Sequence, residues 1–205
     1  MYAKLDQMDC HSCIVAIGSN QRLNNSSSSD VLSAALSRIA VSVGPITSLS
    51  RFFRTPAFPK GSGPDFVNAA LMVRAQGSAH EILEKLHAIE HELGRVRETR
   101  WGQRTIDIDL IAVEQNIVPD SETFKKWQLL PFSQQTKIAP DRLILPHPRM
   151  QDRAFVLGPM MDICRDWVHP VIQKSVSQMY DVLDSQDKAE VMPLYYGLVI
   201  PTLQP

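Results

Sequence analysis

The residues with the most chemistry in them fall between positions 95 and 109. Asp107-Ile108-Asp109 sets two carboxylates at i and i+2, which on a strand leaves both on one face with origins about 6.6 Å apart. Like charges that close are unfavourable unless a cation lies between or near them. Hard oxygen donors suit Mg²⁺, which takes one or two carboxylates plus water and phosphate oxygens; a solvated polar sheet face has the same spacing. Just upstream, Arg95, Arg97, Arg100 and Arg104 put four guanidinium groups into ten residues with no lysine among them. Guanidinium grips phosphate bidentately where an ammonium is only a point charge. A basic loop running into an acidic strand can therefore gather a polyphosphate and its metal, and a solvated charged loop is the plain alternative. Trp101, inside that loop, either stacks on a flat ring or anchors the loop to the core.

Other candidates carry less by themselves. Asn68, with Phe66 nearby and the Thr55-Pro56 backbone, offers donor and acceptor to the edge of a planar heterocycle, though ordinary strand polarity explains an Asn equally. His147 lies between Pro146 and Pro148, six residues before Arg153; the pair could hold phosphate oxygens, or His147 could cap a turn. His80, His87 and His91 read as surface residues of one helix. Cys10-His11-Ser12-Cys13 has C-x-x-C spacing without a second ligand pair, short of the four ligands of a closed zinc site, so Cys13 reads as the start of a buried strand. Neither a G-x-x-x-x-G-K-[ST] phosphate loop nor G-x-G-x-x-G, G-x-S-x-G or H-E-x-x-H is present.

The elements that must position these groups follow from periodicity. Residues 13–17 are continuously apolar and end at Gly18, a buried strand. Ser29 can cap a helix whose stripe is Val31, Leu32, Ala35, Leu36 and Ile39, stopped by Gly44-Pro45. Ile46 to Arg54 reads as one strand, and Thr55 to Pro64 as a breaker-rich, mobile loop. From Asp65 to Ala75, Val67, Ala69, Leu71 and Val73 alternate with Phe66 and Asn68 on the opposite face. Ser78-x-x-Glu81 is a capping box opening a helix that Gly94 ends, and Thr105 to Val113 is a further strand. The order βαββαβ predicts an α+β fold, the ferredoxin-like split βαβ unit with two helices on one face of the sheet. Additional C-terminal elements would complete a three-layer α/β/α domain. Glu114 to Ala139 reads as an insertion, Asp141 to Leu157 as an extended segment entering a short helix, and Val171 to Leu183 as a helix. Val191 to Pro205 is apolar with three prolines and is expected on a sheet edge or a partner.

Composition bounds the rest. The 205 residues carry 21 basic and 22 acidic side chains, a net charge of −1, which argues against a general nucleic-acid or anionic-membrane binder. Hydrophobic residues at 44% exclude intrinsic disorder. Three cysteines form no disulfide framework and fit a reducing compartment. With neither a signal pattern nor an apolar run of membrane-spanning length, the expectation is a cytoplasmic protein.

Gly18-Ser19-Asn20, Thr55-Pro56, Pro64-Asp65-Phe66-Val67-Asn68-Ala69-Ala70, Gly94-Arg95-Val96-Arg97, residues 100–109 (Arg-Trp-Gly-Gln-Arg-Thr-Ile-Asp-Ile-Asp) and Leu145-Pro146-His147-Pro148-Arg149-Met150 occur in that order. In these motifs the chain strongly resembles the 6-hydroxymethyl-7,8-dihydropterin pyrophosphokinase family of folate biosynthesis, over about residues 13–165. The resemblance implies transfer of pyrophosphate from ATP, as co-substrate, to the pterin's hydroxymethyl group. Asp107 and Asp109 match ligands of two Mg²⁺ ions, and Arg95 and Arg104 match catalytic arginines on the phosphates. Arg97, Arg100 and Trp101 match a loop closing over both substrates. Thr55, Pro56, Phe58, Phe66, Asn68 and Phe155 match the pterin pocket, with Trp101 beside them. Glu90, Arg142, His147 and Arg153 match nucleotide-side positions. Gln103 stands where the pattern usually has proline, and His87 where it has glutamine. The length suits one domain spanning 1–205; the resemblance covers a core at about 13–165, with the 114–139 insertion and a 166–205 extension outside the pattern. It implies a monomer acting on small molecules, with no nucleic acid or membrane. Two other readings stay open: a catalytically lapsed pterin- or nucleotide-binding member, and a ferredoxin-like RNA-binding module.

Overall fold

In the computed structural model the described residues are 10–20, 27–57, 61, 63–95, 105–131, 134 and 138–194. Strand β1 (Cys10–Ser19) runs antiparallel to β4 (Phe66–Gln76) along its whole length, from Cys10 opposite Gln76 to Ser19 opposite Val67. On its other side β1 pairs antiparallel with β5 (Asp107–Val113), with a register shift at Ile14/Val15. Strands β2 (Ile46–Leu49) and β3 (Phe53–Thr55) both lie along β4, and β6 (Met192–Pro193) pairs with β3. The path β5-β1-β4-β3-β6, with β2 also on β4, is an antiparallel sheet in a mixed α/β fold.

One strand was expected over Ile46–Arg54, and the break at Ser50 divides it. The Ser50 N–H donates to the Ala70 carbonyl (2.9 Å), and the Ala70 N–H donates to the Ser50 hydroxyl (2.9 Å) instead of to a strand carbonyl. That hydroxyl donates in turn to the Arg51 carbonyl at 2.7 Å. A serine that takes a carbonyl's place in the ladder bends the chain out of it.

Helix α1 (Ser28–Ser42) is capped by Ser27, two residues ahead of the expected Ser29, because Asp30 supplies the reciprocal half of a capping box. Helix α2 (Ala79–Glu92) starts at the predicted Ser78/Glu81 box. It ends at Gly94, whose φ of 76° lies in the left-handed region that favours glycine.

The segment 114–139 contains helix α3 (Ser121–Gln128), and its Phe124 is fully buried with its ring 5.0 Å from that of His169. The chain from Asp141 runs through bends and a turn at 148–149 to a 3₁₀ turn at Met150–Asp152 and enters α4 (Ala154–Ile163). The expected helix over 171–183 is shorter, α5 (Val176–Asp181), followed by α6 (Ser185–Ala189). Residues 169–173 form a turn instead: the Val171 and Ile172 amides donate to His169 Nδ1, and a capping box at Ser175 and Gln178 starts the helix late.

Strand alternation sorts the core into two clusters. Cys13, Val15, Ile17, Ala69, Leu71, Val73, Ile106, Ile108 and Leu110 pack with α1 and α2. Ile14, Ala70, Ile111 and Ala112 pack with α4 and α5. No helix among the described residues is long and apolar enough to cross a membrane.

Candidate active site

Period-2 alternation puts Gly18, Asn68, Asp107 and Asp109 on the same face as Ile14, Ala70 and Ile111. Register then aligns them: Gly18 of β1 lies opposite both Asn68 of β4 and Asp107 of β5, and Ala16 lies opposite both Ala70 and Asp109. Asn68, Gly18 and Asp107 thus form one row across three strands, with its ends two strand spacings, about 10 Å, apart. The middle position must be small. A Cβ on Gly18 would lie 2.5 Å from Asn68 Oδ1 and 3.7 Å from Phe66 Cδ1.

At the β4 end, Asn68 is 7% exposed and its Nδ2 donates to Thr55 Oγ1 at 2.7 Å, which fixes the amide plane. Phe66 sits opposite Thr55 in the β3–β4 register. Phe155, in the first turn of α4, is 38% exposed, with the Arg153 guanidinium 5.6 Å from its ring centre.

At the β5 end, Asp107 and Asp109 keep side-chain exposures of 21% and 36%. Arg95 Nη1 lies 2.8 Å from Asp107 Oδ1 and also pairs with Glu90 Oε1. β5 has β1 on one side only, and along its other edge Glu90 accepts the Ile108 N–H at 2.7 Å while His147 donates its own N–H to the Ile111 carbonyl at 2.7 Å. The edge strand is therefore held by site residues. Burial pushes the Glu90 carboxyl up to about 7 against the lowering pull of Arg95. The resemblance placed Glu90 on the nucleotide side; in the structure its carboxylate meets Arg95 and the Ile108 N–H of β5.

His147 is held to about 3, first by burial and then by the neighbouring Arg153 and Arg149, so its ring is neutral at physiological pH. Its Nδ1 accepts the Arg149 N–H at 3.2 Å, which leaves Nε2 as the donor. Arg153 Nη1 reaches to 3.8 Å from Asp109 Oδ2. Asp109, His147 and Arg153 line an open cleft of about 260 Å³ whose apolar wall includes Leu83, Leu143 and Ile144.

The donor set fits Mg²⁺. Its donors are two partly exposed carboxylates, 21% and 36% exposed, on one face of β5. That matches an ion that fills its shell with water and phosphate oxygens.

The family model for 7,8-dihydro-6-hydroxymethylpterin-pyrophosphokinase (HPPK) matches residues 14–165. The chain belongs to the HPPK family. A 2-amino-4-hydroxy-6-hydroxymethyldihydropteridine pyrophosphokinase of Synechocystis sp. is 32% identical over 192 residues, covering 92% of this chain and 83% of that protein. The enzyme of that name from Haemophilus influenzae is 32% identical over 171 residues, 82% of this chain and 92% of its own length. The wild-type Plasmodium falciparum HPPK-DHPS crystal structure shares the fold with a TM-score of 0.59 at 14% identity. The likeness spans 86% of this chain and 45% of that longer one.

The expected HPPK site residues Thr55, Pro56, Phe66, Asn68, Glu90, Arg95, Asp107, Asp109, Arg142, His147, Arg153 and Phe155 are all described. Phe58, Arg97, Arg100, Trp101 and Arg104 lie outside the described residues. Arg142 is exposed and paired with Asp141 at 3.2 Å, while its neighbours Leu143 and Ile144 line the cleft. Gly18 is the position whose role periodicity alone missed. Its signal was a glycine ending an apolar strand, but the need for it appears only when Asn68 is placed opposite.

Proposed function

We propose that this chain transfers the pyrophosphate of ATP to the hydroxymethyl oxygen of 6-hydroxymethyl-7,8-dihydropterin, releasing AMP, in folate biosynthesis. The row Asn68–Gly18–Asp107 carries the reading. It sets a planar-ring reader and a carboxylate on one surface about 10 Å apart, with a glycine between them whose missing side chain makes room for the Asn68 amide. The pterin edge is read by Asn68, locked by Thr55, and its ring lies against Phe66 and Phe155. The hydroxymethyl group then points along the row towards Asp107. Attack of its oxygen on the β-phosphorus forms one O–P bond and breaks the bond from that phosphorus to the bridging oxygen, which leaves on AMP, while the hydroxyl proton passes to water.

Such a transfer depends on in-line positioning and charge neutralisation more than on a covalent nucleophile. Asp107 and Asp109 would hold Mg²⁺, two ions in our reading, which supplies neutralisation of the triphosphate when bound. Arg95 offsets Asp107 in the free protein and is positioned by Glu90 to turn to phosphate oxygens. His147 Nε2–H and Arg153 donate to the nucleotide phosphates, and Leu83, Leu143 and Ile144 face its base. Arg104 would join the phosphates, and Arg97, Arg100 and Trp101 would close over the substrates to exclude water and limit ATP hydrolysis.

This reading takes the fold as the ferredoxin-like βαββαβ unit within a three-layer α/β/α domain, supported by the two core clusters. It also takes the chain as one domain, with its 13–165 core extended by 114–139 and 166–205, and as a cytoplasmic monomer acting on small molecules without nucleic acid.

Nucleotide analysis tests it, with purified protein, ATP, Mg²⁺ and the pterin. AMP appearing in step with pterin diphosphate is the expected result. ADP would mean a simple kinase, and no pterin-dependent turnover by folded protein would mean a binding module.

A further inference from the structure

β3 is three residues long, yet Thr55 at its end locks the Asn68 amide. A strand that short, followed by Pro56, holds little by itself. Two ties fix it. The first lies within the family match: the Arg51 backbone N–H and guanidinium both donate to Asp162 of α4, at 3.1, 2.9 and 2.7 Å. The second comes from the segment 191–194, C-terminal to residues 14–165. Met192 lies opposite Arg54 and Pro193 opposite Phe53, and the Leu194 N–H donates to the Phe52 carbonyl at 2.7 Å.

One residue earlier, Val191 is seated on α4. A Cβ built on Gly158 would come within 2.8 Å of Val191 Cγ1, so the helix approaches the segment closely only because residue 158 is glycine. Gly158 lies one turn after Phe155. The segment 191–194 therefore touches both α4, which carries Phe155, and β3, which carries Thr55.

We infer that residues 191–194 are a strap that positions the two walls of the planar-ring pocket, with Val191 and Leu194 as positioning residues for pterin binding. The inference rests on the pyrophosphokinase reading for its ligand, and on Val191/Gly158 and Leu194/Phe52 for its geometry. Val191 meets α4 beside Gly158 and Leu194 meets Phe52 next to β3, so loss of the strap acts first on the elements that carry Phe155 and Thr55.

Two variants of the full protein test it: truncation after Glu190, and Gly158→Ala, which unseats Val191 with a residue helices favour. The expected result is a pterin KM raised at least fivefold in both, with the KM for ATP and kcat within twofold of the parent. Pterin KM within twofold in both folded variants, or an equal rise in both KM values, would overturn the strap. Hydrogen–deuterium exchange without substrate separates this from the assigned reaction. Faster exchange across 53–57 and 154–158 is expected in the variants, and unchanged protection there overturns the strap even if the parent forms no AMP. A parent without pterin-dependent AMP but with that exchange change would overturn the reaction and leave the strap standing. If the truncated chain does not fold, Gly158→Ala alone decides.

Discussion

On the face under α1 and α2, strands β1, β4 and β5 present Val15, Ile17, Leu71, Val73, Ile108 and Leu110, none more than 3% exposed. On the opposite face the same strands present Gly18, Asn68, Asp107 and Asp109. Neighbouring residues along one backbone thus meet opposite demands. Under the helices, volume and apolar area decide what fits, because close packing leaves no room for water. On the other face Gly18 makes room for the Asn68 amide in the middle of the row, and Asp107 and Asp109 stay partly exposed. The first face packs the sheet against α1 and α2; the second carries the polar row beside residues that pack on α4 and α5. Glu90 joins the two. It belongs to α2, yet its carboxylate passes the edge of β5 to reach the Ile108 N–H and Arg95.

The comparison breaks most sharply at Asp107. Asp107→Asn removes a charge from the open face without changing volume, so turnover should fall at least about a thousandfold, the scale of losing a main electrostatic stabiliser of the transition state. The melting temperature should hold or rise. Near-normal steady-state rates would mean that the carboxylate row is not the catalytic surface.

Leu71→Ala makes the opposite cut. It opens a cavity on the packed face and should cost about 3 kcal/mol of stability in denaturant titration. The pterin KM of the protein that remains folded should be unchanged, and a large KM rise would show that the two faces are not separable.

Asn68→Ala belongs to the open face again and should raise the pterin KM roughly tenfold to a hundredfold through a lost, fixed hydrogen bond. The nucleotide affinity, measured by calorimetry, should not move.

The smallest effect comes from His169, away from both faces. Burial holds its imidazole down to about 4 from the ordinary 6.5, with Nδ1 accepting two backbone amides. Between pH 4 and 6.5 the unfolded chain binds a proton that the folded chain refuses. The contribution of His169 to stability is therefore complete above about pH 6.5 and is lost as pH falls towards 4. In denaturant titrations at pH 5 and 6, His169→Asn, which keeps an acceptor, should shallow the pH dependence by up to about 1.4 kcal/mol per unit. An unchanged slope would remove His169 as its source.

Much of this was legible in the chain. The capping box at Ser78 and Glu81, the alternation from Phe66 to Val73 and the i, i+2 carboxylates are local patterns, and local patterns survive folding because period and cap chemistry need only near neighbours. The ordered motifs from Gly18 to Met150 pointed to the family that the comparisons established. The split at Ser50 was not legible, because it depends on Ala70, twenty positions away, donating to a serine hydroxyl. The short α5 was missed because apolar spacing over 171–183 does not reveal the turn that His169 organises.

The sequence by itself determined which residues alternate, where helices start and which groups have chemistry to offer, since each of these is set within a few residues. Only the tertiary structure decided that Gly18 stands between Asn68 and Asp107, that Glu90 steadies Arg95 and the β5 edge, and that residues 191–194 lie along β3. Those are matters of register and crossover. Register depends on the sum of packing across whole strands, so no short window of the chain contains it.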